Sequence, residues 1–543
     1  MTTLLLSLCG HVNIRAVTSA DPPPSAPDDS EAGAGAVAVR RRRGGARAHR
    51  STGPSLAPIP RLANPLPPLE LLDAEQVERI VQAANRVLEE AGLEIRSEAA
   101  RDIFRKHGAL VDDDTQMVRI GREIVDAQRA LAPEQFVLHS RNEQRHLHVG
   151  GNVVNFGPVS GAPNISDAEG GRRYGDLEGF RRILNLTQAL GILHWQGGIV
   201  VEPTVIPVPV RHLSIFQAHI ECSDIVWGAR GVGGVQAEDA LAMSAIEHGC
   251  SIDDLATRPT LLSITNVNSP RRVDAEILDN IIVLARHGQC VVITPFTLMG
   301  AMAPITLAGA LVQQTAEALG IIALCQMVRP GAPCVLGGFT SNVDMRTGSP
   351  AFGTPEYVHA VIASAQIGRR LKLPVRTSSV NASPAVDAQS TWETAFSLQA
   401  AILSHSHLIN HAAGWLEGGL TASLEKIVVD AEMLRNWEAI LQPVHFTDDD
   451  LGLEAIKGVP AGGHFFGSAH TLARYEKAFY RPLLSDWSNF ENWTDAGSHN
   501  ATQRATLLWK KLLAAHVPPP LDPAVREAIA AYVARRTEEI NRA

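Results

Sequence analysis

The feature that most constrains this chain is a regular alternation between residues 176 and 440. Amphipathic segments of roughly 12–18 residues are each followed by a short, continuously apolar run that ends in Gly, Pro, Ser or Asn. The runs are Leu193–Val201, Ile225–Gly228, Thr260–Asn266, Cys290–Thr294, Cys334–Phe339, Val375–Ser379 and Leu408–Ala412. A strand that is apolar at successive positions must be covered on both faces, which is the condition of a parallel sheet flanked by helices. Seven runs are clear, and an eighth strand falls either among residues 153–157 or in the C-terminal part. The pattern predicts an α/β protein built on a (β/α)8 TIM-type barrel over residues 151–444. A doubly wound open sheet is the alternative. No G-x-G-x-x-G follows a first strand, and Gly231-Val-Gly233-Gly234 lacks that spacing.

The flanks differ in character. Residues 1–60 hold a proline cluster at 22–24, Ala/Gly repeats and seven arginines against four acidic residues. With so little to bury, this stretch is expected to be a disordered tail. Order begins near Leu69: Asp73 with Gln76 has the form of a capping box. Val77, Ile80, Val81, Ala84 and Leu88 then share one helix face that ends at Gly92. Residues 61–150 are expected to form a small N-terminal α/β cap with helices. Residues 445–543 read as a mainly helical extension, whose last helix opens with Asp522 and Pro523.

Composition narrows the function classes. The net charge of -9 argues against nucleic acid or an anionic membrane as partner. Six cysteines with no C-x-x-C pair argue against a zinc ribbon or a redox dithiol. No apolar run is expected to reach the ~20 residues of a membrane span, and Leu4–Cys9 is too short for a signal peptide. A cytoplasmic protein is expected, with homo-oligomerisation left open.

In a barrel of this kind, chemistry belongs at the carboxyl ends of the strands. The residues there are Trp227 and Arg230; Asn266, Asn268 and Ser269; Thr294, Pro295 and Phe296; Phe339, Ser341, Asn342 and Asp344; Arg376, Ser378 and Ser379; and His411, Trp415 and Glu417. Four separate loops thus offer an aromatic ring in a chain that is only 5% aromatic. Converging rings with a carboxylate suit a quaternary ammonium, held by cation–π contacts of about 0.5–2 kcal/mol each. The bland alternative is that the same rings pack beneath loops. No G-x-S-x-G, H-E-x-x-H or P-loop is present. His405, His407 and His411 are close in sequence, but on a strand the four-residue spacing loses its helical meaning, and no metal is expected.

Dispersed motifs add to this. His411-Ala-Ala-Gly-Trp-Leu-Glu-Gly-Gly-Leu-Thr-Ala-Ser-Leu-Glu-Lys426 is the most specific. Gly353-Thr-Pro-Glu356, Asp387-Ala-Gln389 with Glu393, Asp430-Ala-Glu-Met433, His470-Thr-Leu472, Tyr480-Arg-Pro482 and Pro518-Pro-Pro-Leu-Asp522 follow in order. Together they resemble the trimethylamine methyltransferase family, from about Arg40 to the C-terminus. The resemblance implies a TIM-type barrel that moves a methyl group from an amine nitrogen to the Co(I) of a corrinoid (cobalamin). That group is carried by a separate corrinoid protein, with no cofactor tightly bound by the chain itself.

The founding members carry pyrrolysine near the segment that here reads Arg376-Thr-Ser-Ser-Val-Asn-Ala-Ser-Pro-Ala-Val-Asp387. Standard residues throughout liken this chain to the branch acting on glycine betaine and related quaternary amines, although Val380-Asn-Ala-Ser-Pro384 is unusual even there. The strand-end rings Trp227, Phe296, Phe339 and Trp415, with Glu417, are the candidate substrate contacts. Arg376 would anchor a betaine carboxylate, with Arg230 or His411 as second choices. Asn266, Ser341 and Asn342 would face the corrinoid, and no residue is assigned as catalytic. The alternatives are a trimethylamine-type substrate, a non-catalytic barrel that senses a cationic metabolite, and a lyase or hydrolase with a metal or general base in its mouth.

Overall fold

The computed structural model describes residues 61–542, and the tail expected over 1–60 lies outside the described residues. Eight strands form the centre: β1 (Asn155–Pro158), β2 (Trp195–Gln196), β3 (Val226–Ala229), β4 (Leu261–Val267), β5 (Cys290–Met299), β6 (Cys334–Gly337), β7 (Val375–Ser378) and β8 (Leu408–Ala413). Parallel ladders join them in the order β1-β8-β7-β6-β5-β4-β3-β2. The His194 N–H donates to the Phe156 carbonyl at 2.8 Å, which draws the β2 edge against β1. The strands therefore follow one another around a nearly closed barrel, with no reversal of order. That excludes the open sheet.

Each strand leads to a helix on the outside: α1 (Leu177–Leu190), α2 (Val208–Cys222), α3 (Gly234–His248), α4 (Ala275–Arg286), α5 (Leu307–Val328), α6 (Pro355–Leu371), α7 (Ala388–Leu403) and α8 (Leu424–Ile440). Strands β3, β6, β7 and β8 are buried at every position, so neither face selects polar residues and no alternation appears. Two boundaries shift. The run Leu193–Val201 yields only two strand residues before Gly197-Gly198 turns the chain. β5 instead runs on to Met299, where it pairs with a further strand, Phe339–Val343, that rises past β6.

The N-terminal residues pack beside and beneath the barrel. The helix Ala74–Arg86 begins with the Asp73–Gln76 capping box, and its apolar face is buried. It lies on α5 together with a small sheet built on Leu93–Ile95 and Met117–Arg119. The approach is close at Gly320, where an added Cβ would stand 2.5 Å from the Leu93 side chain. The hairpin Phe136–Leu138/Leu147–Val149 closes the floor. Its Leu138, Leu147 and Val149 cluster with Trp195, Val226, Leu262, Val292, Val335 and Leu408 from the barrel interior.

α5 corrects one expectation. Its 22 residues are long and apolar enough to cross a membrane by length and composition, although no such run was expected. Its apolar residues are buried between the barrel and the N-terminal elements, which accounts for the composition without a bilayer. At the other end of the chain, the helices Ala501–Ala515 and Pro523–Arg542 pack on α8, α1, α2 and α3. Trp509 Nε1 donates to Glu425 at 2.9 Å, and Tyr532 Oη donates to Asp239 at 2.7 Å.

Candidate active site

A cavity of about 360 Å³ opens at the carboxyl ends of the strands. Along β2 and β3 its wall is backbone: a Cβ on Gly228 would lie 2.7 Å from the Gly198 nitrogen. The two strands meet glycine to glycine there, which leaves the space free of side chains. Opposite stand Phe339, Arg376, Asn410, His411 and Trp415. The residues lining the cavity include no Asp or Glu.

Arg376 dominates the electrostatics. It lies on β7, 2% exposed. Its Nε and Nη1 have no hydrogen-bond partner, and its Cζ rests 5.1 Å from the centroid of Phe339. Burial lowers its pKa to about 10, so it remains a cation at neutral pH. The carboxylates nearest in sequence are engaged elsewhere. Asp387 caps α7, and Glu393 accepts the Ala382 and Ser383 N–H groups at 2.9 and 3.2 Å. An unpaired buried charge costs several kcal/mol, and this one faces the cavity.

His411 is placed by a kink in β8. The register against β1 shifts between Ile409 and Ala413, and His411 has φ +58°. A left-handed backbone costs a non-glycine residue about 1–2 kcal/mol, and a bulge of this kind re-aims a side chain. The His411 ring lies 4.0 Å from Trp415, centroid to centroid, and its Nε2 accepts from Asn410 Nδ2 at 2.9 Å. Burial, with Arg376 adding to it, holds its pKa well below the ordinary histidine range. The imidazole is neutral and can donate or accept a hydrogen bond without adding charge.

Trp415 is clamped by the segment whose sequence was unusual. Its Nε1 donates to the Asn381 carbonyl at 3.1 Å, Asn381 Nδ2 donates to the Trp415 carbonyl at 2.5 Å, and the Glu417 N–H donates to the Ser383 carbonyl at 2.8 Å. Phe296 sits behind Phe339, 5.0 Å between centroids, rather than in the cavity wall. Phe352, not among the sequence candidates, completes an aromatic cluster at 5.8 Å from Phe339 and 6.1 Å from Trp415. Only its position beside Gly353-Thr-Pro-Glu356 could have drawn attention to it.

Other candidates lie elsewhere. Trp227 faces outward from β3 into the helix layer, stacked on His219 at 5.9 Å, with its Nε1 donating to Glu247 at 2.8 Å. It does not line the cavity. Glu417 stands on the rim, bound to Arg172 at 2.8 Å and to the Thr421 hydroxyl at 2.7 Å, so it is no counter-charge within the site. Ser341 donates to the Ala351 carbonyl, and Asn342 accepts from Thr354 at 2.9 Å. Both build the rim hairpin, whereas Asn266 lines the cavity. Arg230 also lines it but is paired with Glu202 at 3.5 Å. His405 and His407 bond to backbone at the floor, away from His411. Among the described residues no three metal-ligating side chains come together.

The model of the trimethylamine methyltransferase (MTTB) family matches residues 40–541. The chain is 34% identical to a glycine betaine methyltransferase of Desulfitobacterium hafniense (strain Y51), over 88% of this chain and 98% of that one. It is 29% identical to a trimethylamine methyltransferase of the same species (strain DSM 10664 / DCB-2), over 86% and 93% of the two chains. The monomethylamine methyltransferase of Methanosarcina barkeri, a solved structure, aligns with 11% identity and a TM-score of 0.45 over 81% of this chain and 93% of that one. The chain belongs to the trimethylamine methyltransferase family and is an enzyme of the methyltransferase class.

Proposed function

We propose that this enzyme takes a methyl group from a carboxylate-bearing quaternary amine of the glycine betaine type and passes it to a corrinoid carried by a separate protein. The observation that carries the reading is Arg376: a buried, unpaired guanidinium in a cavity without acidic residues. Such a site repels a bare cation. A zwitterion resolves the conflict, because its carboxylate pairs with Arg376 while its ammonium lies against the aromatic faces. The relative's name, glycine betaine methyltransferase, supports the same class.

The corrinoid supplies the reduced cobalt that accepts the methyl group. The chain's own part is to bind, orient and keep water out. Arg376 fixes the carboxylate at the inner end, so the trimethylammonium group is directed toward the open mouth. Phe339 and Trp415 steady the positive charge, and His411, being neutral, does not oppose it. When the C–N bond breaks, its electron pair stays on nitrogen and a tertiary amine leaves without needing a proton. That agrees with a cavity that offers no carboxylic acid. Positioning of this kind can contribute several kcal/mol.

The test is to incubate the purified protein with Co(I) cobalamin and, in turn, glycine betaine, carnitine, proline betaine, choline and trimethylamine, following the cobalamin absorbance and the demethylated amine. A carboxylate-bearing quaternary amine is expected to react, with trimethylamine almost untouched. Arg376→Ala is expected to lower kcat/KM for that substrate by about 2–4 kcal/mol, roughly 30- to 1,000-fold, and not to weaken choline further. Brisk trimethylamine turnover overturns the proposal.

A further inference from the structure

Between α8 and the C-terminal helices the chain makes an excursion over residues 442–482, in which no side chain is buried. The sequence is nevertheless apolar at many positions. Val444, Phe446, Phe466 and Phe479 are 86%, 81%, 82% and 82% exposed, and Ile456 and Tyr475 are 58% and 60% exposed. The arm is locally ordered by the helices Leu453–Gly458 and Ala469–Arg474, by a Ser468 cap and by an Arg474–Asp449 ion pair. Surface interactions of this kind contribute little each, whereas the conformational entropy lost on ordering is paid at every residue. A single chain recovers almost none of that cost.

We infer that this arm is a self-association surface, and that a second copy of this chain covers it. Three observations select that occupant. The first is extent. Ten large apolar side chains of the arm, from Val444 to Phe479, stand 44% to 86% exposed, an apolar surface of the kind that obligate homodimers cover. The second is charge. The arm carries five carboxylates and four Lys or Arg residues, a mixed surface that can face its own copy across a two-fold axis, where each patch meets itself. The third is position. The arm leaves α8 at its floor end, where Arg435 donates to the Leu190 carbonyl at the end of α1. It returns at Leu483–Ser485, which bond to Glu432 on the same helix. Both roots are on the flank of the barrel and not at the mouth, so a protein that visits the mouth to collect methyl groups does not need this surface. Such a visitor must also leave, and a permanently apolar face calls for a permanent partner.

Sedimentation of the full chain between about 1 and 20 µM tests this. The wild type is expected at twice the 58.3 kDa chain mass, insensitive to 1 M salt because the contact is apolar. Phe446→Asp combined with Phe466→Asp and Phe479→Asp is expected to sediment as a single chain. Phe479→Glu alone is expected to raise the dissociation constant roughly 100-fold. These side chains contact solvent in one copy, so the folded barrel is retained, with unchanged circular dichroism and unchanged methyl transfer to free cobalamin. A wild type that sediments as one chain throughout this range overturns the inference, and so do variants that keep the wild-type mass. Loss of transfer to the corrinoid protein alone, with mass unchanged, assigns the arm to that partner instead.

Discussion

Arg376 is a standing cost to the fold, because its buried guanidinium has two orphaned nitrogens. Replacing a buried charge by an apolar side chain of similar shape is often stabilising by about 1–4 kcal/mol. Arg376→Met is therefore expected to raise the melting temperature of the free enzyme and to abolish the further rise expected of the wild type with the proposed ligand glycine betaine. Thermal scans with and without the ligand measure both. A fall in melting temperature would mean that Arg376 has a structural partner.

Glu247 offers a pH counterpart. Burial raises its pKa from the ordinary 4.5 to about 7, offset by the Trp227 hydrogen bond and by Arg141. The native state thus holds a proton that the unfolded chain releases above pH 4.5, so this group's contribution to stability falls as pH rises from 4.5 to 7 and is level beyond. Glu247→Gln still accepts from Trp227 and cannot titrate. It is expected to remove that slope and to be more stable than wild type at pH 8 by roughly 3 kcal/mol. Urea unfolding at pH 5 and pH 8 checks it, and equal slopes for both proteins would refute it. The same pair explains why Trp227 was misplaced from sequence. In a four-residue strand buried on both faces, nothing in the residue pattern says which position points inward, and one step of register separates Val226 in the barrel interior from Trp227 outside.

At the scale of elements, the barrel was legible because its periodicity is long-range. Continuous apolar runs and amphipathic helices repeat whatever the detail of each loop. The site was legible only where a strand end coincides with the mouth, as at Phe339, Arg376 and His411. What stayed hidden arises from departures from regularity: the β8 bulge that turns His411 inward, the extension of β5 beyond the mouth, and the Asn381–Trp415 clamp, whose partners are 34 residues apart. α5 carries its own lesson. An apolar helix of membrane-spanning length is here the spine between two packed layers, and at Gly320 the layers leave no room for a side chain. Gly320→Val is expected to destabilise by about 1–3 kcal/mol through overpacking against Leu93 and Leu88, with amide exchange accelerated in the helix Ala74–Arg86 before the barrel strands. Unchanged stability would mean that the N-terminal layer yields without cost.

At the scale of the whole molecule, the question is where the folded unit begins. The strongly basic segment precedes residue 60, yet the first described residues already engage the barrel. Leu62 is 1% exposed, and its carbonyl accepts the Val154 N–H at 2.9 Å just before β1. Asn64 Nδ2 donates to the Ile402 carbonyl at the end of α7, 2.8 Å away. The segment 62–64 thus ties two neighbouring parts of the ring together. A chain that starts at residue 60 keeps all of these contacts, and is expected to match the full protein in melting temperature and turnover. A chain that starts at residue 68 loses them. Exposing Leu62's site costs about 1.5–3 kcal/mol, and each lost hydrogen bond about 1 kcal/mol, so a loss of roughly 3–5 kcal/mol in unfolding free energy is expected. Measuring both truncations by urea unfolding separates a dispensable extension from a structural one. If the first truncation is as damaging as the second, residues before 60 contribute to the fold in a way their composition does not suggest.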